Sequence, residues 1–130
     1  MSKAAYLSQA WLDLYLAQAD GLPERSGATA RVQHVITGTP DGEVRYVQDM
    51  ADGRLRALTL GDDPAAELTF TQTYADARQV AEGAVDAHVT FMQGRLKVLG
   101  SMRTVMALMP VLQSDEYRAT VAEVSSLTEY

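Results

Sequence analysis

The segment that decides the fold is Phe91–Leu112, which reads FMQGRLKVLG and then SMRTVMALMPVL. Gly94 and Gly100 bracket Arg95 to Leu99, where Arg95 and Lys97 alternate with Leu96 and Val98. A period of two is that of a half-buried strand, so Leu96 and Val98 are expected to face inward and the basic residues to face water. Ser101 stands where a helix N-cap belongs. Met102, Met106 and Met109 follow at spacings of four and three, on one helical face. Methionine is unbranched and polarisable, so a row of it suits an apolar surface that must fit more than one shape. An ordinary core helix shows the same spacing, and periodicity does not separate a cavity wall from a packed core.

Upstream of this segment, ELTFTQT (Glu67 to Thr73) alternates cleanly, with Leu68 and Phe70 on one face and threonines on the other. Tyr74 to Glu82 changes period and reads as a short helix closed by Gly83, and Asp86 to Met92 as another helical turn. Further back lie three runs, Ala30 to Thr39, Glu43 to Met50 and Arg54 to Leu60. They are separated by Pro40-Asp41-Gly42 and by Asp52-Gly53. Asp-Gly between alternating runs is a strong hairpin signal, and the expectation is an antiparallel meander. Ala4 to Ala19 reads as a helix with Leu7, Trp11, Leu14 and Tyr15 on its apolar face, stopped by Asp20-Gly21-Leu22-Pro23. At the other end, Pro110 is expected to end or kink the methionine helix, and Asp115 opens a last helix.

These elements make one α+β domain over residues 1–130: a five-stranded, mainly antiparallel sheet with helices packed on one face. A chain of this length supports a single core. The net charge of −6, with basic residues dispersed along the chain, argues against nucleic acid and against firm electrostatic docking on anionic membranes. Transient membrane contact through an apolar patch stays open, as does a homodimer. The N-terminal residues lack the unbroken apolar run of a signal peptide, no stretch is long enough to span a bilayer, and the C-terminal Leu127-Thr128-Glu129-Tyr130 carries no Ser-Lys-Leu address. The expected location is cytoplasmic.

The residues offer little for catalysis. There is no cysteine and there are two histidines, too few for a three-histidine metal site. His34 lies mid-strand between Val32 and Ile36, a place more often filled by a structural histidine than by a base. His88 and Asp86, two apart, do not share a helix face. No nucleophile elbow, phosphate loop or dinucleotide fingerprint occurs. We therefore expect no catalytic residue, no metal and no cofactor, and a binding protein rather than an enzyme.

The segment from Ala66 to Leu112 resembles the sterol-carrier-protein type of lipid-transfer domain. The resemblance rests on ELTFTQTYADA, on AEGAVDAHVTFMQGRLKVLG with Phe91, Met92, Gly94, Leu96, Val98 and Gly100 at its core, and on SMRTVMALMPVLQ beginning at Met102. It implies helices over a five-stranded sheet with an apolar cavity between the layers. It also implies a ligand of lipid type (sterol, fatty acid, acyl thioester or phospholipid) bound without chemistry. The expected lining is Phe70, Phe91, Met92, Leu96, Val98, Met102, Met106 and Met109, with Trp11 and Tyr15 contributed by the first helix. Two other readings stay open: an interaction or dimerisation module whose pocket is collapsed, and an accessory domain that presents an acyl group to a separate enzyme.

Overall fold

The structure is a computed structural model that describes residues 3–130. The meander forms as the turn chemistry dictates: β2 (Ala30–Thr39), β3 (Gly42–Ala51) and β4 (Arg54–Leu60) pair antiparallel in sequence, after a short β1 (Ala4–Ala5). Between β3 and β4, Asp52 and Gly53 both take positive φ, 48° and 84°, as a two-residue hairpin turn of matching twist requires. A Cβ on Gly53 would lie 2.8 Å from the Cβ and backbone nitrogen of Arg25, so this corner needs glycine for space as well.

After Leu60 the chain crosses back, and β5 (Leu68–Thr73) joins the free edge of β2 in parallel, opposing His34 to Phe70 and Ile36 to Gln72. The glycine-bracketed strand, β6 (Lys97–Gly100), then adds antiparallel to β5, giving the order β4-β3-β2-β5-β6. Gly100, at φ 133°, pairs with Leu68, and a Cβ there would sit 2.6 Å from the Glu67 carbonyl oxygen.

The helices are α1 (Gln9–Gln18), α2 (Tyr74–Ala81), α3 (Ala87–Met92), α4 (Met102–Leu112) and α5 (Asp115–Ser126). Three are capped by side chains: Ser8, Thr73 and Ser114 each accept from a backbone N–H three residues on. The first helix is shorter than its periodicity suggests. Leu7 takes φ 66°, which breaks the helical path, and β1 instead pairs in parallel with β7 (Thr128–Glu129). The apolar residues before Ser8 thus belong to a clasp between the two ends of the chain. Pro110 does not end α4. It removes one N–H near the last turn, and Gln113 N–H donates to the Met109 carbonyl, closing the turn beyond it.

One sheet face carries Ala30, Val32, His34 and Ile36 of β2 beside Val44, Tyr46, Gln48 and Met50 of β3. The apolar residues of this face fall into two clusters. The first gathers Val32, Met50 and Leu68 under Val105, Leu108 and Val111 of α4. The second gathers Ile36 and Leu58 under Trp11 and Leu12 of α1, Ala77 of α2 and Val124 of α5. Between the clusters the inward positions change character: His34, Gln48 and Gln72 are polar, and here the layers do not close on each other.

Candidate functional site

The gap is a cavity of about 90 Å³ between sheet and helices. Its floor is the run His34, Ile36, Tyr46, Gln48, Phe70 and Gln72, with Leu96 at one end. Its roof comes from all five helices: Trp11 and Tyr15, then Ala77 and Val80, Ala87 and Thr90, Leu112, and lastly Tyr117, Val121 and Val124. Two recesses share its walls. One, of about 120 Å³, reaches the α2–α3 connection at Gly83, Val85 and Asp86, beside Arg118. The other, of about 50 Å³, runs over the floor to Leu55 and Leu58 of β4. Arg118 bonds Asp86 at 3.1 Å and Asp115 at 2.9 Å, so an ion-pair cluster sits at the outer end of the first recess.

The polar floor is uncharged. His34 is buried at 8% exposure, stacks on Tyr46 and touches the edge of Phe70. Its Nε2 and the Gln48 Oε1 are 2.7 Å apart. Because Gln48 presents its oxygen, Nε2 carries the ring proton and donates it. Burial lowers the His34 pKa from the ordinary 6.5 to about 4, only partly opposed by the Gln48 bond, so the ring is neutral at physiological pH. Its Nδ1 and the Gln72 Oε1 have no partner among the described residues. The tyrosines are neutral too. Burial first, and neighbouring tyrosines second, hold Tyr6 and Tyr15 far above the ordinary phenol value, and burial leads for Tyr46 and Tyr117 as well. Tyr15 donates to the Tyr117 hydroxyl at 3.2 Å and so ties α1 to α5 across the roof.

The expected lining divides. Trp11, Tyr15, Phe70 and Leu96 come together around the cavity. Phe91, Val98 and Met109 are half-buried against the neighbouring apolar cluster, outside the cavity wall. Met92, Met102 and Met106 point to solvent at 78%, 56% and 57% exposure. The face of α4 that meets the sheet is Val105, Leu108 and Val111, and only Leu112 of this helix reaches the cavity. Most of the roof is α5, from Tyr117 to Val124, which motif reading passes over. The signal that points to the floor is the pair His34 and Gln48, polar residues at inward positions of two adjacent strands. Among the described residues, no group of three or more His, Cys, Asp or Glu side chains is placed to hold a metal ion, and no helix is long and apolar enough to cross a membrane.

The model of the SCP-2 sterol transfer family matches residues 11–113. The chain belongs to that family. A search of curated proteins gave no match. Among solved structures, the SCP-2 fold recurs in a Thermus thermophilus protein described as possibly a sterol carrier protein. It is 18% identical, with TM-score 0.73, over 95% of this chain and 94% of that one. A crystal structure of sterol carrier protein 2 is also 18% identical, with TM-score 0.67, over 92% and 96% of the two chains. The solution structure of a palmitated sterol carrier protein 2-like protein from Aedes aegypti is 15% identical, with TM-score 0.63, over 85% and 96%. At these identities the solved structures establish a common SCP-2 fold, a mixed five-stranded sheet with helices.

Proposed function

We propose that this chain binds, and passes on, a lipid-type ligand held between the sheet and the helices, without chemical conversion. The observation that carries the reading is the cavity itself: apolar walls and a buried, neutral floor, in a member of the SCP-2 sterol transfer family. The ligand chain would lie along the central cavity and its two recesses, from the Arg118 end over Phe70 and Leu96 to Leu58. Burying a methylene contributes about 0.8 kcal/mol, so a chain of about twelve carbons gains roughly 10 kcal/mol gross. Several kcal/mol are lost with the ligand's freedom, which leaves micromolar binding without any head-group contact. Such a site reads chain length gradually, so sterols, fatty acids, acyl thioesters and phospholipids all fall within its class.

The same reading makes residues 1–130 one domain of a cytoplasmic carrier with a small-molecule ligand and no nucleic-acid partner, a choice supported by its net charge of −6. It takes no cofactor. Titration with a fluorescent fatty acid tests the proposal: saturable uptake by monodisperse protein, reversed by unlabelled lipid, supports it. No uptake would instead favour an interaction module with a collapsed pocket.

A further inference from the structure

Buried polar atoms in a folded protein are paired as a rule. Gln33, buried on the other side of β2, follows the rule. Its Nε2 donates to the carbonyls of Tyr46 and Gly61 at 3.2 and 3.0 Å, and its Oε1 accepts from the Asp63 N–H at 2.8 Å. Three buried side-chain atoms have no partner among the described residues: His34 Nδ1, Gln72 Oε1 and His88 Nδ1. The first two belong to residues of the cavity wall. The parallel register opposes His34 to Phe70 and Ile36 to Gln72, so His34 and Gln72 are diagonal neighbours on one face of the sheet.

Both orphans are acceptors. The ring proton of His34 is on Nε2 and committed to Gln48, which leaves a lone pair on Nδ1. Gln72 Oε1 is a carbonyl oxygen. The group that completes this floor must therefore donate a hydrogen bond. Among the described residues that line the cavity there is no Asp, Glu, Lys or Arg. An ammonium head would be buried there without a counter-charge, and a carboxylate or an ester would set further acceptors against the two already present. A hydroxyl donates and stays neutral.

We propose that the cavity takes a neutral lipid alcohol with its hydroxyl inward, the O–H donating to His34 Nδ1 and Gln72 Oε1 standing beside it as a second acceptor. The inference rests on lipid binding in this cavity and adds to it a polar subsite. That subsite selects an alcohol over an ether, an ester or a carboxylate of the same chain length, because only the alcohol leaves no buried acceptor facing another. A fatty acid fills the same space with its carboxylate kept away from the floor.

The test compares 1-dodecanol with dodecyl methyl ether, which differ only in O–H against O–CH3. Trp11 is the single tryptophan of the chain and lines the cavity, so its emission reports filling without a label. On burial alone the more apolar ether would bind tighter. The subsite reverses the order: the alcohol should bind the wild type about ten-fold tighter than the ether. His34→Phe keeps a ring against Tyr46 and removes the acceptor. It should abolish the preference while ether affinity stays within about two-fold, and Gln72→Met should reduce the preference in part. Circular dichroism checks that each variant is folded. Nitrogen-15 spectra of the wild type give a readout that needs no variant: His34 Nδ1 should resonate as the unprotonated ring nitrogen, shift upfield with 1-dodecanol and stay in place with the ether. Equal affinities for the two ligands, an unchanged preference in folded His34→Phe, or a proton on Nδ1 would overturn the hydroxyl subsite and leave lipid carriage standing. No response of Trp11 to either ligand would remove both.

Discussion

His34 and Tyr46 lie face to face across β2 and β3, ring centroids 4.5 Å apart and planes within 9° of parallel. The stack places a titratable ring in the floor of the cavity at a depth where charge is costly. Burial rather than a neighbouring charge sets its protonation, and the single bond to Gln48 holds the ring's edge. The floor is therefore polar but neutral, which suits an uncharged ligand body better than a buried carboxylate.

Acid should destabilise the fold through this residue. The unfolded ring binds a proton near pH 6.5 and the folded ring only near pH 4, so the unfolded state holds more protons between these values and stability rises with pH there. Its share of stability is intact above pH 6.5, declines as pH falls toward 4, and comes to about 3 kcal/mol in total. Denaturant melts of wild type and His34→Gln at pH 7 and pH 5 check this: the wild type should lose more stability than the variant over that interval.

Filling the cavity should separate ligand binding from folding. Leu112→Trp and Val121→Trp each place a large ring in the central space and should weaken fatty-acid binding about ten-fold or more. Met106→Trp, on the outer side of α4, should leave affinity within about two-fold. Equal effects of the three would move the binding site.

Gly100→Ala should cost about 2 kcal/mol or more, since an added Cβ meets the Glu67 carbonyl and Leu68 at a φ that side chains avoid. Thermal melts measure the loss. Hydrogen exchange should place the opening at β6, with Lys97 to Leu99 losing protection before the β2–β3 pair.

Trp11→Phe should loosen the clasp of the chain ends. The Trp11 Nε1–H donates to Thr128 Oγ1 at 3.1 Å, and Thr128 in turn donates to the Val124 carbonyl. Losing the first bond and the indole volume should cost about 1–2 kcal/mol. Exchange of the Tyr6 amide, which donates to the Glu129 carbonyl, should speed up.

The strands are legible in the sequence because turn chemistry fixes them. Asp52-Gly53 predicts a hairpin and the two glycines around Arg95 to Leu99 predict a brief strand, and the five-stranded sheet contains both, the strand running over Lys97–Gly100. Periodicity over-extends the first helix because Tyr6 and Leu7 keep its apolar character, while the turn at Leu7 is a tertiary effect of pairing with β7. The methionine stripe misleads for a different reason. In MRTVMALMPVL nearly every side of the helix is apolar, so the pattern cannot say which side meets the sheet. Packing selects the branched set Val105, Leu108 and Val111, which fills the space over Leu68 and Val32. The roof in α5 carries no mark at all: Tyr117, Val121 and Val124 at helical spacing look like any core-facing helix, and only the structure places them over the polar floor.

The most direct measurement of the central claim is contact between a bound acyl chain and side chains of the cavity, read as intermolecular nuclear Overhauser effects with a carbon-13-labelled fatty acid. Contacts are expected to the methyl groups of Leu96, Leu112, Val121 and Val124, and none to those of Met102 and Met106. Contacts confined to the exposed methionine methyls, with the four cavity residues silent, would contradict lipid carriage between sheet and helices.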